Sequence, residues 1–292
     1  MFIHLRKNKK NYATILLVII LLFILIATSN NKFLEKFDST KYKDNITFEY
    51  KNYNLFLLNY KNLNENLDFQ NIKKKNILPR VAHAGGGFKN RTYTNSIDAL
   101  EENKKYFLFF EIDFFLTEDN KVVCEHDDNN HLKSMESFNL YVKKNKKYEQ
   151  CNYISLNKWL NENPNKYIVT DFKKENIKGL KFIAKNFDNY KKRFIPQIYH
   201  PNEYHQVKKL GFKNIIWTLY KYNKSNESIL LYSKKMDLFA ITMNPPRVRS
   251  GLAKLLSEIN IKTYVHTINS VDDYYKYLNV YKVDQMYTDW IK

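Results

Sequence analysis

The chain has 292 residues, 44% of them hydrophobic, and carries 48 Lys and Arg against 30 Asp and Glu, a formal net charge of +18. That apolar share is ample for a packed core and excludes a largely disordered chain. The basic excess suits an anionic lipid, an anionic envelope polymer or a phosphorylated substrate, but the lysines are spread along the chain and no nucleic-acid-binding module is present, which excludes nucleic acid as the expected partner.

The first eleven residues include Arg6, Lys7, Lys9 and Lys10. Residues 12–29 follow as an uncharged apolar run, long enough to cross a bilayer. The positive flank predicts a transmembrane anchor with its N-terminus in the cytoplasm and the remainder of the chain outside. A cleaved signal peptide is the competing reading, without a clean small-x-small site to support it. Residues 30–76 are rich in Asn and Lys, hold no Gly or Pro, and read as a juxtamembrane stalk or cap.

From Ile77 to Lys292 short apolar runs alternate with amphipathic stretches. Strands are predicted at 78–84, 107–116, 121–125, 167–172, 194–198, 214–219, 238–243, 262–267 and 285–288. Helices are predicted at 95–105, 156–161, 176–187, 202–210, 227–235, 248–259 and 271–280. Taking 107–116 and 121–125 as one hairpin leaves eight strand units. The expected fold is therefore α/β, a (β/α)8 TIM barrel over 77–292 preceded by one transmembrane helix, with an open doubly wound sheet as the alternative. Cys124 and Cys151 lack the spacing of a zinc site. They are either two free thiols or, outside the cytoplasm, a disulfide.

In such a barrel the chemistry sits at the C-terminal ends of the strands. The first strand ends in His83-Ala84-Gly85-Gly86-Gly87, whose amides could face a phosphate. The second carries Glu111-Ile112-Asp113, two carboxylates on one face within a run of Phe. Burying two carboxylates together is costly unless a cation lies between them, and oxygen ligands suit Ca²⁺ or Mg²⁺. His126-Asp127 follows the next short strand, and Asp171-Phe172-Lys173 closes the third unit. A His is suited to proton transfer near neutral pH, and a Lys to neutralising a phosphoryl oxygen. Gln197, Thr218 and Tyr220 stand at later strand ends, where they could line the pocket or serve as packing.

The stretches His83-Ala84-Gly85, Thr94-Asn95-Ser96, Glu111-Ile112-Asp113 and His126-Asp127, with Tyr264–Asn269 and Tyr287-Thr288-Asp289, resemble in order the motifs of the glycerophosphodiester phosphodiesterase family, within the phosphatidylinositol-phospholipase-C-like group. The resemblance implies His83 and His126 as acid and base with Lys173 assisting, and Glu111, Asp113 and Asp171 around a divalent cation. Gly85, Asn95, Gln197, Thr218, Tyr220 and His266 are the expected substrate contacts. The implied substrate is a phosphodiester: a small glycerophosphodiester, a phospholipid or an envelope polymer. The sequence departs from the family pattern at Ala84, where the family has an Arg that helps bind phosphate, at Thr94, at Asp171 in place of a Glu, and at His266 in place of a Trp. Arg247 and Arg249 are candidates to replace the missing Arg. Two further functions stay open at this stage: a lyase releasing a cyclic phosphate, and a degenerate barrel that only binds anionic glycans or lipids. Nothing in the sequence addresses oligomeric state.

Overall fold

A computed structural model of the chain describes residues 78–127, 133–146 and 148–292. The basic N-terminus, the transmembrane span at 12–29 and the stalk at 30–76 read from the sequence lie outside the described residues. Among the described residues no helix is long and apolar enough to cross a membrane.

Eight parallel strands close into a barrel: β1 (Val81–Ala82), β2 (Phe109–Leu116), β4 (Tyr167–Phe172), β5 (Phe194–Ile198), β6 (Ile216–Thr218), β7 (Ala240–Met243), β8 (Thr263–Val265) and β9 (Gln285–Thr288), with β1 pairing to both β2 and β9. The short β3 (Val122–Cys124) pairs antiparallel to β2, so the expected hairpin forms. Its turn is fixed by Thr117, whose amide donates to the Lys121 carbonyl, and by Asn120 in the left-handed region. The closed barrel replaces the open-sheet alternative.

Both faces of a barrel strand are covered, so its sequence is a nearly unbroken apolar run. β2 (FFEIDFFL) and β4 (YIVTDF) have this character, and Phe109, Phe110, Phe114, Ile168, Val169 and Phe172 are fully buried. Glu111, Asp113 and Asp171 interrupt these runs and are buried too. Outside the barrel, α1 (Ile97–Asn103), α2 (Met135–Asn145), α3 (Tyr153–Glu162), α4 (Asn176–Asn186), α5 (Tyr204–Lys209), α6 (Asn226–Ser233), α7 (Pro245–Arg249), α8 (Leu252–Glu258) and α9 (Val271–Asn279) cover it. α4 approaches β4 so closely that a Cβ on Gly179 would lie 2.2 Å from the Phe172 ring, so only glycine fits there.

Several boundaries differ from the sequence reading for local reasons. β1 is shorter than 78–84, because Pro79 has no amide hydrogen to give the ladder and His83–Gly85 forms a 3-10 turn. The single helix expected at 248–259 is two: Asn244 caps α7 ahead of Pro245 and Pro246, and Gly251, at φ +86°, breaks the helix before α8. α3 begins at Tyr153 because Asn152 and Ser155 form a capping box. α2 is absent from the sequence reading. It is started by a Ser134–Ser137 capping box and buries only Phe138 and Val142, against Phe115 and Val123. Cys124 and Cys151 are joined as a disulfide, with Cα atoms 5.2 Å apart. It tethers β3 to the segment that leads into α3.

Candidate active site

The carboxylates predicted on β2 and β4 converge. Glu111 and Asp113 alternate onto one face of β2, and parallel register places Asp113 beside Asp171. One oxygen of each of Glu111, Asp113 and Asp171 lies within 4.8 Å of the others. Lys173 joins them: its Nζ is 2.5 Å from Asp113 Oδ1 and 2.7 Å from Asp171 Oδ2. Three carboxylates against one ammonium leave a buried deficit of positive charge.

The protonation behaviour follows from that deficit. Burial, then the charges of Asp113 and Asp171, hold the Glu111 carboxyl well above the usual carboxylate range. Burial opposes the charge on Asp171, yet Lys173 and hydrogen bonds from Lys173, Tyr199 and Tyr220 pull it below that range. Burial also opposes the Lys173 ammonium, but Asp113, Asp171 and Glu111 overcome it and keep the group charged. A dry cluster of oxygen donors that raises the pKa of its own Glu fits a hard divalent cation, which would neutralise the carboxylates together.

The supporting shell is specific. The Ala84 amide donates to Glu111 Oε2 at 2.8 Å. Asn95 clamps Asp113 from both sides, its Nδ2 donating to Oδ2 at 2.8 Å and its Oδ1 accepting from the Asp113 amide at 2.9 Å. Tyr199 and Tyr220 both donate to Asp171 Oδ1, the latter at 2.8 Å. Burial first, and Asp171 next, raise both phenols, so they remain donors.

His83 donates from Nδ1 to Asp289 Oδ1 at 2.9 Å, and Asp289 is held in turn by Asn269 Nδ2 at 2.7 Å. His126 makes the same kind of bond to its neighbour Asp127, at 2.8 Å and in a more exposed setting. In each case Nδ1 is the nitrogen that the carboxylate engages. Tyr93 links the two: its ring centroid is 4.6 Å from that of His83 and 4.6 Å from that of His126, so the imidazoles lie no more than twice that distance apart.

Not every expected residue serves as anticipated. In the glycine tract the Ala84 amide is taken by Glu111, the Gly86 amide by the His83 carbonyl and the Gly87 amide by the Asp289 carbonyl. Gly85 is buried, and its carbonyl accepts from Asn103. The amides of Ala84, Gly86 and Gly87 therefore shape the His83 turn. Asn95 lies behind Asp113, with both ends of its amide engaged. Arg247 donates to the carbonyls of Tyr222 and Lys224, and Arg249 to the Tyr277 hydroxyl, so both serve as ties between surface segments. Gln197 and Thr218 are buried on β5 and β6, in phase with Tyr199 and Tyr220. His266 hydrogen-bonds the Thr242 hydroxyl at 3.1 Å. Part of that residue remains accessible, yet burial of its imidazole, and then His83, push it down to about 4, so it is neutral at physiological pH.

Asp289, Asn269 and Tyr93 were not picked out as site residues from the sequence. For Asp289 a signal existed, a carboxylate directly after the last strand. Tyr93 sits in an irregular loop and carries none.

No protein-family model and no curated protein sequence matches the chain. Solved structures do match in three dimensions. A glycerophosphodiester phosphodiesterase from Parabacteroides distasonis superposes with a TM-score of 0.56 at 16% identity, over 72% of this chain and 92% of its own. One from Thermotoga maritima gives 0.58 at 16% identity, over 72% and 93%. An Oleispira antarctica phosphodiesterase, solved in complex with the product sn-glycerol-3-phosphate, gives 0.56 at 13% identity, over 74% and 95%. At these identities the likeness is one of fold, and the chain has the barrel of the solved glycerophosphodiester phosphodiesterases.

Proposed function

We propose that the chain is a membrane-anchored, divalent-cation-dependent phosphodiester hydrolase, cleaving glycerophosphodiesters or related phospholipid and envelope phosphodiesters between His83 and His126. The observation that supports this reading is a buried cluster of Glu111, Asp113, Asp171 and Lys173 together with two imidazoles, each bonded to its own carboxylate and both packed against Tyr93. A binding protein needs no such pair. A hydrolase needs one group to take a proton and another to give one.

Glu111, Asp113 and Asp171 would hold Ca²⁺ or Mg²⁺, which when bound supplies Lewis-acid polarisation of the phosphoryl group. Lys173 offers its remaining N–H to a second phosphoryl oxygen. His83, fixed through Nδ1 by the buried Asp289, is the base that takes the proton of the attacking hydroxyl at Nε2. His126 protonates the departing alcohol, and its exposure lets it recover that proton from solvent. The attacking hydroxyl is either water or the substrate's own neighbouring alcohol. In the second case water then opens the cyclic phosphate.

The glycerol-3-phosphate complex of the Oleispira phosphodiesterase supports a glycerol-linked substrate by analogy of fold. The apolar run at 12–29 with its cationic flank supports the anchor, and the Cys124–Cys151 bridge suits an extracytoplasmic domain.

The test is a metal-stripped, reconstituted activity screen of the full chain over glycerophosphodiesters, lysophospholipids and teichoic-type polymers, with product analysis. Turnover restored by Ca²⁺ or Mg²⁺ and ending in a linear monoester is expected. A cyclic phosphate as the final product would make the enzyme a lyase, and no metal-dependent turnover on any of the three would overturn the reading. Protease protection of the domain in right-side-out vesicles would contradict the assigned topology.

A further inference from the structure

The Tyr93 ring is packed edge-on to both imidazoles at 4.6 Å, so it borders any phosphodiester that both imidazoles reach. Ala84, the neighbour of His83, is fully buried and contributes only its amide, which Glu111 takes. Arg247 and Arg249 are tied to other segments. Neither Ala84 nor Arg247 nor Arg249 therefore supplies an arginine donor to a phosphoryl oxygen beside His83. The Tyr93 hydroxyl forms no hydrogen bond among the described residues, and 45% of the residue is exposed.

Two further observations set this Tyr apart from an incidental surface ring. Its backbone is at φ +55°, a region that bulky residues rarely adopt and that is held only where the surroundings enforce it. What enforces it is visible: Thr94 and Asn95, the next two residues, are buried, and Asn95 is fastened to Asp113 by two hydrogen bonds. The loop thus couples the position of Tyr93 directly to a carboxylate of the acidic cluster. Burial, and then the charges of Asp289, Asp113 and Glu111, raise the phenol, so it stays protonated and able to donate.

Resting on the hydrolase reading above, we propose that Tyr93 is a substrate-positioning residue: its phenol donates a hydrogen bond to a phosphoryl oxygen of the bound diester, while its ring sets the spacing of His83 and His126. The neutral donor adds a hydrogen bond to a phosphoryl oxygen without adding a further formal charge beside the cluster.

The experiment compares the full chain with its Tyr93→Phe and Tyr93→Ala variants, using a glycerophosphodiester in saturating Ca²⁺ or Mg²⁺, and measures kcat and KM across pH. Tyr93→Phe keeps the ring packed against both imidazoles and removes only the hydroxyl. Its kcat/KM should fall about 10- to 100-fold, the range for a hydrogen bond to a charged group. The pH profile and thermal midpoint should stay those of the wild type. Tyr93→Ala should lose more and also change the pH profile. Isothermal titration of a glycerophosphodiester into the His83→Ala background gives a readout without turnover, and adding Tyr93→Phe should weaken binding while leaving metal affinity unchanged. A Tyr93→Phe enzyme within twofold of wild type in kcat/KM overturns the proposal but leaves the hydrolase reading intact, provided His83→Ala is inactive. A wild-type chain inactive on every phosphodiester overturns both.

Discussion

Around the barrel mouth, the half built on β1, β2 and β4 collects formal charge, whereas the half built on β5 to β9, apart from Asp289 after β9, collects groups kept neutral. The first holds Glu111, Asp113, Asp171 and Lys173 in contact. The second presents Tyr199, Tyr220 and Tyr287, whose phenols are all raised, and His266, whose imidazole is pushed down to about 4 by burial and by His83. Burial is the first cause in every one of these neutral groups, and on the charged side it is opposed by opposite charges a hydrogen bond away. The division suggests separate tasks. On the proposed function the charged half would handle phosphorus, and the neutral half would hydrogen-bond an alcohol without adding a competing ion. Asp171 is the seam, bonded to Lys173 on one side and to Tyr199 and Tyr220 on the other.

The sharpest way to break this comparison is to remove a proton carrier. His83→Ala and His126→Ala are each expected to lower kcat by about 10²- to 10⁴-fold, measured on a glycerophosphodiester with metal present. Retained activity in either would dismantle the acid–base assignment.

Next in size is Lys173→Met, which leaves three buried carboxylates without their ammonium. Loss of one partner of a buried ion pair costs about 3 kcal/mol or more, so chemical denaturation of the metal-free variant should show a drop of that order. Added Ca²⁺ should recover part of it, because the cation then has three unpartnered ligands. A variant as stable as wild type without metal would mean that the cluster is not electrostatically coupled.

Glu111→Gln addresses the same half with the opposite sign. The Glu111 carboxyl is raised in the folded protein, so between its ordinary value of 4.5 and its folded value the native state holds the extra proton. On this group's account, metal-free stability is greatest at low pH and declines as pH rises above 4.5. Glu111→Gln should flatten that decline and make the metal-free protein more heat-stable at pH 8 than wild type. It should also abolish the metal-induced rise in thermal midpoint, which at a hundredfold excess over Kd is worth about 2.7 kcal/mol in wild type. A variant that melts lower than wild type at pH 8 without metal would contradict the assigned burden on Glu111.

The smallest effect is expected in the neutral half. Tyr220→Phe removes one of two phenol donors to Asp171 while Tyr199 remains, so kcat/KM should change by less than about tenfold, roughly 1 kcal/mol. Its effect should differ between glycerol-linked substrates and those with bulkier alcohols. A loss as large as that of His83→Ala would make Tyr220 part of the phosphoryl machinery and erase the division between the halves.

What the sequence determined by itself was the barrel, through apolar runs such as 109–116 and 167–172, and the acidic and basic residues at the ends of those runs. Alternation alone puts Glu111 and Asp113 on one face, and strand-end position alone marks His83, His126, Asp171 and Lys173. Helix α2 escaped because its start depends on a Ser134–Ser137 box and its buried face on only two side chains. The one-residue register that sets Asp171 beside Asp113 came only from pairing between strands. Tertiary structure likewise brought Asp289 to His83 across 206 residues, formed the Cys124–Cys151 bridge and turned Arg247 and Arg249 away to other partners. The reason is physical. Periodicity records which face of an element is buried, a local property, whereas a hydrogen bond between loops on the first and last strands exists only once the barrel has closed.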